Sequence, residues 1–476
     1  MTDTTNRPIV LRMPPSPTGH LHLGTARAAL FNWLFTEKNH GEIIFRWEDT
    51  DIERSKEEHE TEILDGLAWL GMNFRKKKMY RQTECADTHA TYLKKIWDEG
   101  KVFPCFTTPE ELEKLRNEAA AKKEGFVFWS PFRDLDKEEA EARMKTDKFV
   151  WRLKVSPNQW VVFKDLIRKK VSVNTDTLGD FAIARANGSV LYYLANVLDD
   201  WLQGVTHVLR GEDHVSNTPK QILIYEALDA PLPTFGHIPL VLDSRKKKLS
   251  KRHVEPGVCV LISDFQEAGF IPEGVVNGLV FLGWNPKSTE EIFSLADLEE
   301  RFDLSQVNAA AAQYDFKKMI WFNAQWMRKV EIEKLQKYYA DFSGKTIDLN
   351  MLSVAREKAR TLVELQDELS YLVSDPGIEN ELIGNEKWGL TLDAAQDTLK
   401  KVAEMLESID ENDWSSEKVE AASVEKISEL GMKNGEFLWP FRIALANRKG
   451  SAGPFDIAAV LGKEETLRRI KRASQS

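Results

Sequence analysis

Two loops in this sequence carry side chains suited to handling a nucleotide. The first, Pro14 to Gly24 (PPSPTGHLHLG), delivers His22 and Gly24 to the start of a helical stretch. A helix N-terminus presents unpaired N–H groups and partial positive charge, which suits a triphosphate. Gly24 lets an adenine ring approach backbone that a side chain would block. The second loop, Lys248-Leu249-Ser250-Lys251-Arg252, is basic and follows an apolar run; cationic donors of this kind offset charge developing on a transferring nucleotidyl group. Each loop has a plain alternative when read singly. Pro, Gly and Ser mark loops everywhere, a histidine at a helix start often caps it, and a lysine run is usually solvated surface. Arg12 and Arg210 lie in otherwise apolar strands, where a guanidinium needs a partner.

The elements that must position these residues read as a divided parallel sheet. Ile9 to Met13 is a short apolar strand, and apolar residues then recur at helical spacing from His22 to Lys38, with Leu23, Ala26, Ala29, Leu30, Trp33 and Leu34 on one face. Gly41 is expected to end that helix. Ile43 to Trp47 reads as a buried strand, with Glu48, Asp49 and Asp51 at its carboxyl end. Strand, loop, helix and strand in this order open a doubly wound sheet, whose ligands collect at the carboxyl edge. After a charged helical stretch through Leu70, the region from 85 to 185 breaks the alternation and reads as an insertion. Alternation returns with the strand Val205 to Leu209, the loop Arg210 to His214, a helix capped by Ser216 and the apolar run Ile238 to Leu242. The two loops thus fall at strand ends of one sheet built in two pieces. Beyond residue 330 only amphipathic helices are predicted. There is no internal repeat and no low-complexity tract.

Bulk properties bound the possibilities. At 476 residues the chain exceeds what one core organises, so several domains are expected. Apolar residues make up 42% and charged residues 29%, and no run approaches the roughly 18 apolar residues of a membrane span. The opening MTDTTNRPIVLRM has neither an apolar signal core nor an Arg-rich leader, so a cytoplasmic location and no membrane role are expected. Cys85, Cys105 and Cys259 are too few and too dispersed for a disulfide framework or a CxxC knuckle. The formal charge of -10 does not exclude a nucleic-acid partner, because distribution matters more than sum. Basic clusters at Arg75 to Lys78, Arg168 to Lys170, Arg245 to Lys248 and Arg468 to Arg472 could each face phosphates, although any one alone is commonly a solvated face.

The two loops resemble the signatures of class I aminoacyl-tRNA synthetases. His22-Leu23-Gly24-Thr25 stands where that class has His-Ile-Gly-His, and Lys248 to Arg252 where it has Lys-Met-Ser-Lys-Ser. RWEDTD at Arg46 to Asp51 and NGSVLYYLANVLDDWLQGVTHVLRGEDH at Asn187 to His214 are similar to glutamyl-tRNA synthetases in particular. The similarity is strong over residues 8 to 255 and continues through DFKKMIWFNAQW and GEFLWPFRIALANRKGSAGPFDIAAVLGKEETLRRI. It implies a multidomain α/β protein: a Rossmann-like doubly wound parallel sheet in two halves (1–84 and 186–245), an inserted α+β acceptor-end-binding domain (85–185), a stem-contact region (246–328), and an all-α anticodon-binding domain (329–476).

The resemblance also implies the chemistry. ATP enters with Mg²⁺, the α-carboxylate of L-glutamate attacks its α-phosphate, and the 2′-hydroxyl of the terminal adenosine of tRNA(Glu) then takes the glutamyl group. His22, Gly24 and Lys251 would hold the nucleotide, and His22, Lys248 and Lys251 would assist the transfer. Arg12 and Tyr192 match the ligands of the side-chain carboxylate and Arg210 that of the α-carboxylate. Ser16 and Glu48 match those of the ammonium, with Asn196 at a further substrate position. Two carboxylates and one ammonium call for this balance of charge. No residue stands out as a covalent nucleophile. The first step is expected to wait for tRNA, and a monomer is expected.

Some members hold zinc in the insert through a Cys-x-Cys pair and a later cysteine. Here Cys105 is kept but Thr107 and Phe132 stand at the other places, so no bound zinc is expected. A C-terminal helix is read over Arg356, Lys358 and Arg360, with Lys358 where members restricted to tRNA(Glu) often carry arginine; charging of tRNA(Gln) as well is left open. A truncated relative that modifies queuosine would lack the helical module. A glutaminyl enzyme would carry β-barrels and Pro-Glu-Pro-Asn in its first motif. A non-catalytic tRNA-binding relative would have no need to keep His22, Lys248, Lys251 and Glu48 together.

Overall fold

The computed structural model describes residues 8–51, 53–250 and 255–475. Strand β1 (Val10–Met13) leads through the Pro-rich loop into helix α1 (Leu23–Lys38), and the chain returns as β2 (Glu42–Trp47). Helix α2 (Glu57–Trp69) and strand β3 (Met79–Arg81) follow. These three strands pair in parallel in the order β1-β2-β3, with Arg12 opposite Ile44 and Arg46 opposite Tyr80. Their near-continuous apolar character is that of a parallel sheet covered on both faces.

The segment from 85 to 185 supplies helix α3 (Ala86–Asp98), strand β4 (Val102–Cys105), helices α4 (Pro109–Ala121) and α5 (Lys137–Met144), and strands β5 (Val150–Leu153), β6 (Trp160–Asp165), β7 (Lys169–Asn174) and β8 (Ala182–Arg185). Strands β4, β5 and β8 form a small antiparallel sheet. Then come α6 (Tyr192–Leu202), β9 (His207–Gly211), α7 (Thr218–Ala227) and β10 (Thr234–Ile238). Strands β9 and β10 pair in parallel, and the amide of Thr206 donates to Val10 O at 2.9 Å, setting the start of β9 beside β1. The parallel strands therefore run β3-β2-β1-β9-β10, and the order reverses between β1 and β9. That junction is where an open α/β sheet gathers ligands.

Four sequence expectations need correction. The main sheet is not built from two pieces alone, because β6 of the 85–185 segment pairs in parallel with β10 at Asp165 and Phe235 while β7 folds back on β6. Gly41 does not adopt the left-handed capping conformation; His40 does, at φ 51°. Glycine is needed at 41 for a different reason, since a Cβ there would lie 2.6 Å from Ile9 O. Ser216 does not cap α7: it lies in a short 3-10 turn (Glu212–Asn217), and Pro219 sets the first helical turn instead. The fourth concerns Lys358, described with the helical unit.

The described residues divide into two units, one running to Ser263 and including Val276–Asp315, the other comprising Asp264–Val275 and the chain from Phe316 onward. The second unit is helical, with the long helices Phe316–Lys329, Leu392–Glu407, Ser416–Leu430 and Pro454–Ala473. No strand occurs beyond residue 330 among the described residues. Lys358 and Arg360 lie in the turn between helices Leu349–Arg356 and Leu362–Val373, not in a helix, because Thr361 caps the second of these through the amide of Glu364.

Basic clusters read as possible phosphate faces are partly engaged inside the fold. Arg168 pairs with Glu212, Arg75 with Asp65, and Arg468 and Arg472 with Asp375. Arg469, 2% exposed, donates to Tyr371 O at 2.7 Å and Leu445 O at 2.8 Å, tying three helices of its unit together. Arg469→Ala leaves two buried carbonyls unpaired and opens a cavity, and is expected to destabilise the protein by about 3 kcal/mol in a thermal or urea melt.

Candidate active site

Helix α1 begins as a capped helix. His22 Nδ1 accepts the amide of Gly24 at 3.1 Å, which places the proton of the neutral ring on Nε2. Arg27, one turn along, is buried and donates from Nη1 to Leu282 O at 2.6 Å and from Nη2 to Pro239 O, aiming the helix. Burial pushes its pKa down to about 10. Beside these residues lies a cavity of about 780 Å³ lined by Ser16, His22, Gly24, Arg210, Lys248 and Ser250, among others. Among the described residues a Cβ on Gly24 would meet only His22 Nδ1, at 3.6 Å, so their packing does not require glycine there. Lys248 is ion-paired with Asp213 at 2.7 Å. Lys251 and Arg252, expected to complete the basic loop, lie outside the described residues.

Arg12, Glu48, Tyr192 and Asn196 are not among the residues lining that cavity; they gather around a buried charge cluster next to Met13, which is. Arg12 (1% exposed) donates from Nε to Asp200 at 3.2 and 3.3 Å. Arg46 (0% exposed) donates to the same carboxylate at 2.7 Å, to Asn196 Oδ1 at 3.3 Å and to Gln203 Oε1 at 3.0 Å. Burial works against the Asp200 carboxylate, but the two guanidiniums outweigh it and hold its pKa below the ordinary range. Glu48, 3.6 Å from Arg46, has its pKa raised, chiefly by burial. Besides Arg46 Nε, which faces Asp199 at 4.0 Å, three buried atoms here have no hydrogen-bond partner among the described residues: Arg12 Nη1, Asn196 Nδ2 and Glu48 Oε1. Unpaired buried polar atoms are uncommon, and two donors with one acceptor complement a carboxylate beside an ammonium. Asp49 and Asp51, the other acids of this segment, are engaged with Arg81 and Arg54.

Arg210 reaches the cavity from the end of β9. Its Nη2 donates to Thr218 Oγ1 at 2.8 Å and Gln221 Oε1 at 2.7 Å, and its Nε to His237 Nε2 at 3.3 Å. His237 in turn donates from Nδ1 to Asp165 Oδ2 at 2.6 Å. Both members of that pair are buried, at 0% and 1% exposure. Burial holds His237 below the ordinary histidine range, so its Nε2 remains an acceptor for Arg210. Tyr192, at the start of α6, shares a hydrogen bond of 2.9 Å with His214 Nδ1 and lies within electrostatic reach of Arg210, Glu48 and Arg12.

The pattern described as "tRNA synthetases class I (E and Q), catalytic domain" matches residues 8–321, and that described as "Anticodon binding domain" matches residues 310–474. The glutamate–tRNA ligase of Aquifex aeolicus is 40% identical over 474 residues, covering 97% of this chain and 98% of the relative. Glutamate–tRNA ligase 1 of Caldanaerobacter subterraneus subsp. tengcongensis is 39% identical over 475 residues, covering 97% of each. The chain belongs to the glutamate–tRNA ligase family. Among solved structures, a glutamate–tRNA ligase from Elizabethkingia meningosepticum in complex with its amino acid superposes with a TM-score of 0.85 at 28% identity, covering 99% of this chain and 100% of that one. As a glutamate–tRNA ligase family member the chain is an enzyme of the class I synthetase fold, with a helical anticodon domain following the catalytic one.

Several supporting residues of this family member escaped sequence reasoning. Asp200 and Arg46 had a readable signal, an acidic pair in the apolar helix LANVLDDWL and a charge in the apolar strand EIIFRW. Asp165 and His237 had none, being 72 positions apart with ordinary neighbours. Cys105 packs in an apolar cluster with Phe103 and Phe128 and accepts a 3.4 Å hydrogen bond from Ser130 Oγ. Lys358 is exposed, while Arg356 donates to Val330 O and Arg360 pairs with Glu364.

One buried and two half-buried histidines set a pH dependence. His207, His214 and His237 all have pKa values lowered, first by burial. Protons then bind more readily to the unfolded chain, so their stability contribution is full above about pH 6.5 and is lost as the pH falls below it. Urea midpoints are expected to decline on acidification through that window, with a shallower slope in His237→Gln.

Proposed function

We propose that this chain activates L-glutamate with ATP and transfers it to the 2′-hydroxyl of the terminal adenosine of tRNA(Glu). The observation that carries this reading is the set of unpaired buried atoms Arg12 Nη1, Asn196 Nδ2 and Glu48 Oε1, next to a cavity that begins at a capped helix N-terminus. Arg12 with Tyr192 binds the side-chain carboxylate and Arg210 the α-carboxylate. Glu48 and Ser16 take the ammonium, and Asn196 a further polar edge of the substrate. Two cations against one anion match the net charge of glutamate and disfavour glutamine, whose amide would leave a guanidinium uncompensated.

ATP enters as its magnesium complex, which supplies neutralisation of the phosphates. The triphosphate lies along the α1 N-terminus, with His22 Nε2–H as donor and the adenine against Gly24. An oxygen of the α-carboxylate attacks the α-phosphorus, the bond to the bridging oxygen breaks, and pyrophosphate leaves with its electron pair. Lys248 and Lys251 offset that charge. The 2′-hydroxyl oxygen then attacks the activated carbonyl, the bond from that carbon to the phosphate oxygen breaks, and AMP leaves, its phosphate taking up the hydroxyl proton. Positioning does most of the catalytic work, because the polar groups are held before substrate arrives.

The insert (85–185) is assigned to the acceptor end of tRNA, residues 246–328 to its stem, and the helical segment 329–476 to the anticodon, with Lys358 as a contact. Lys358 offers a base edge a point charge in place of arginine's planar fork. The insert is proposed to hold no zinc, on the buried, hydrogen-bonded Cys105 with Thr107 and Phe132 at the other ligand places; Cys105→Ser is expected to leave metal content unchanged. A monomer acting in the cytoplasm fits the reading, and no helix among the described residues is long and apolar enough to cross a membrane.

ATP-dependent charging of purified tRNA(Glu) and tRNA(Gln) with labelled glutamate tests the activity, and incorporation into neither would contradict it. Gly24→Ala tests the nucleotide site. The added methyl meets no atom of the described residues closer than 3.6 Å, so melting is expected to stay unchanged or rise slightly, while the KM for ATP rises at least about tenfold.

A further inference from the structure

The outer end of the nucleotide loop meets α2 through three side chains that the reaction does not use. His20, in the loop, donates from Nδ1 to Glu62 Oε2 at 2.6 Å. His59 lies one helical turn before Glu62, so the two share a face of α2. The rings of His20 and His59 stand edge to face, 5.1 Å between centroids at 76°. One ligand atom from each of the three residues falls within 4.8 Å of the others. Two imidazoles on one tetrahedral zinc, with Zn–N near 2.1 Å, have centroids about 5 Å apart, so the rings already stand at the separation a shared metal needs, and the metal would replace the His20–Glu62 hydrogen bond. Glu62 Oε1 is buried and has no hydrogen-bond partner.

We propose that His20, His59 and Glu62 form a binding site for a transition-metal dication of the zinc type, bridging the nucleotide loop to α2. Two imidazoles and one carboxylate select such a dication over Mg²⁺ or Ca²⁺, which prefer all-oxygen sets. The scaffold is held independently of the metal. The amide of Lys56, at the N-terminus of α2, donates to Pro17 O at 3.1 Å, and Gly66 lets α2 approach so closely that a Cβ there would lie 2.8 Å from Leu21 Cδ2. Because His20 is two residues from His22 and also lines the cavity, an occupied site fixes the loop at the cavity rim. The expectation of no bound zinc looked only to cysteine positions; this site uses none, and is filled reversibly from solution.

A second cluster, Cys85 with His89 and Asp199, is the competing candidate. Both oxygens of Asp199 are already engaged there, by His89 at 2.6 Å and Gln82 at 2.7 Å. Titration of the full-length, chelator-stripped protein with Co²⁺, followed by absorption and calorimetry, separates the two. A single bound Co²⁺ with no thiolate charge-transfer band is expected, together with a melting temperature raised by Zn²⁺. His59→Gln and Glu62→Gln should each weaken binding at least about tenfold and remove the thermal shift, while Cys85→Ser changes neither. His20→Gln repeats the test from the loop side should a helix variant lose its fold. Unchanged binding in these variants, a thiolate band, loss of binding in Cys85→Ser, or no binding at millimolar Co²⁺ would overturn the proposal.

Discussion

Everything near the site depends on one carboxylate held between two buried guanidiniums. Asp200 receives Arg12 from β1 and Arg46 from β2, and all three side chains are nearly or completely removed from water. A buried guanidinium without a partner would cost several kcal/mol, so neither strand could carry its arginine without the helix that brings Asp200. That helix, α6, arrives only after the insertion, 188 positions beyond Arg12. The ion cluster thus ties the first half of the divided sheet to the second. It also presents Arg12 Nη1 in a fixed orientation, which is the geometric precondition for reading a carboxylate.

The same economy recurs at Arg210, the other cation proposed to bind the substrate. Its hydrogen bonds run to Thr218 and Gln221 at the start of α7 and, through His237 on β10, to Asp165 on β6. Asp165 comes from the inserted segment, and burial opposes its ionisation, but bonds from His237 and the amides of Arg168 and Ile167 prevail and hold its pKa below the ordinary range. The insertion therefore supports an arginine of the catalytic sheet, which accounts for β6 joining that sheet. Arg12 and Arg210 each rest on a buried acid from a distant part of the chain.

How much was legible from sequence follows from how local each signal was. The α1 helix, the flanking strands and the helical C-terminal region announce themselves through apolar periodicity, and Arg12 and Arg210 through a charge in an apolar strand. Turn chemistry was harder: His40 adopts the left-handed geometry expected of Gly41, and the helix-forming residues around Lys358 conceal a break made by the Thr361 cap. Pairing partners far apart in sequence were invisible, as with Asp165 and His237, because nothing in either neighbourhood encodes the other. His20 and His59 escaped for the same reason, since loop and helix are brought together only by folding.

The central claim is that Asp200 orients Arg12 for the glutamate side chain. Steady-state kinetics of Asp200→Asn test it most directly, with circular dichroism to verify the fold. The account predicts that the KM for glutamate rises about 100-fold, some 2.7 kcal/mol, while the KM for ATP changes little, because the proposed nucleotide site draws on His22 and Gly24 instead. An unchanged KM for glutamate in a folded Asp200→Asn protein would contradict it.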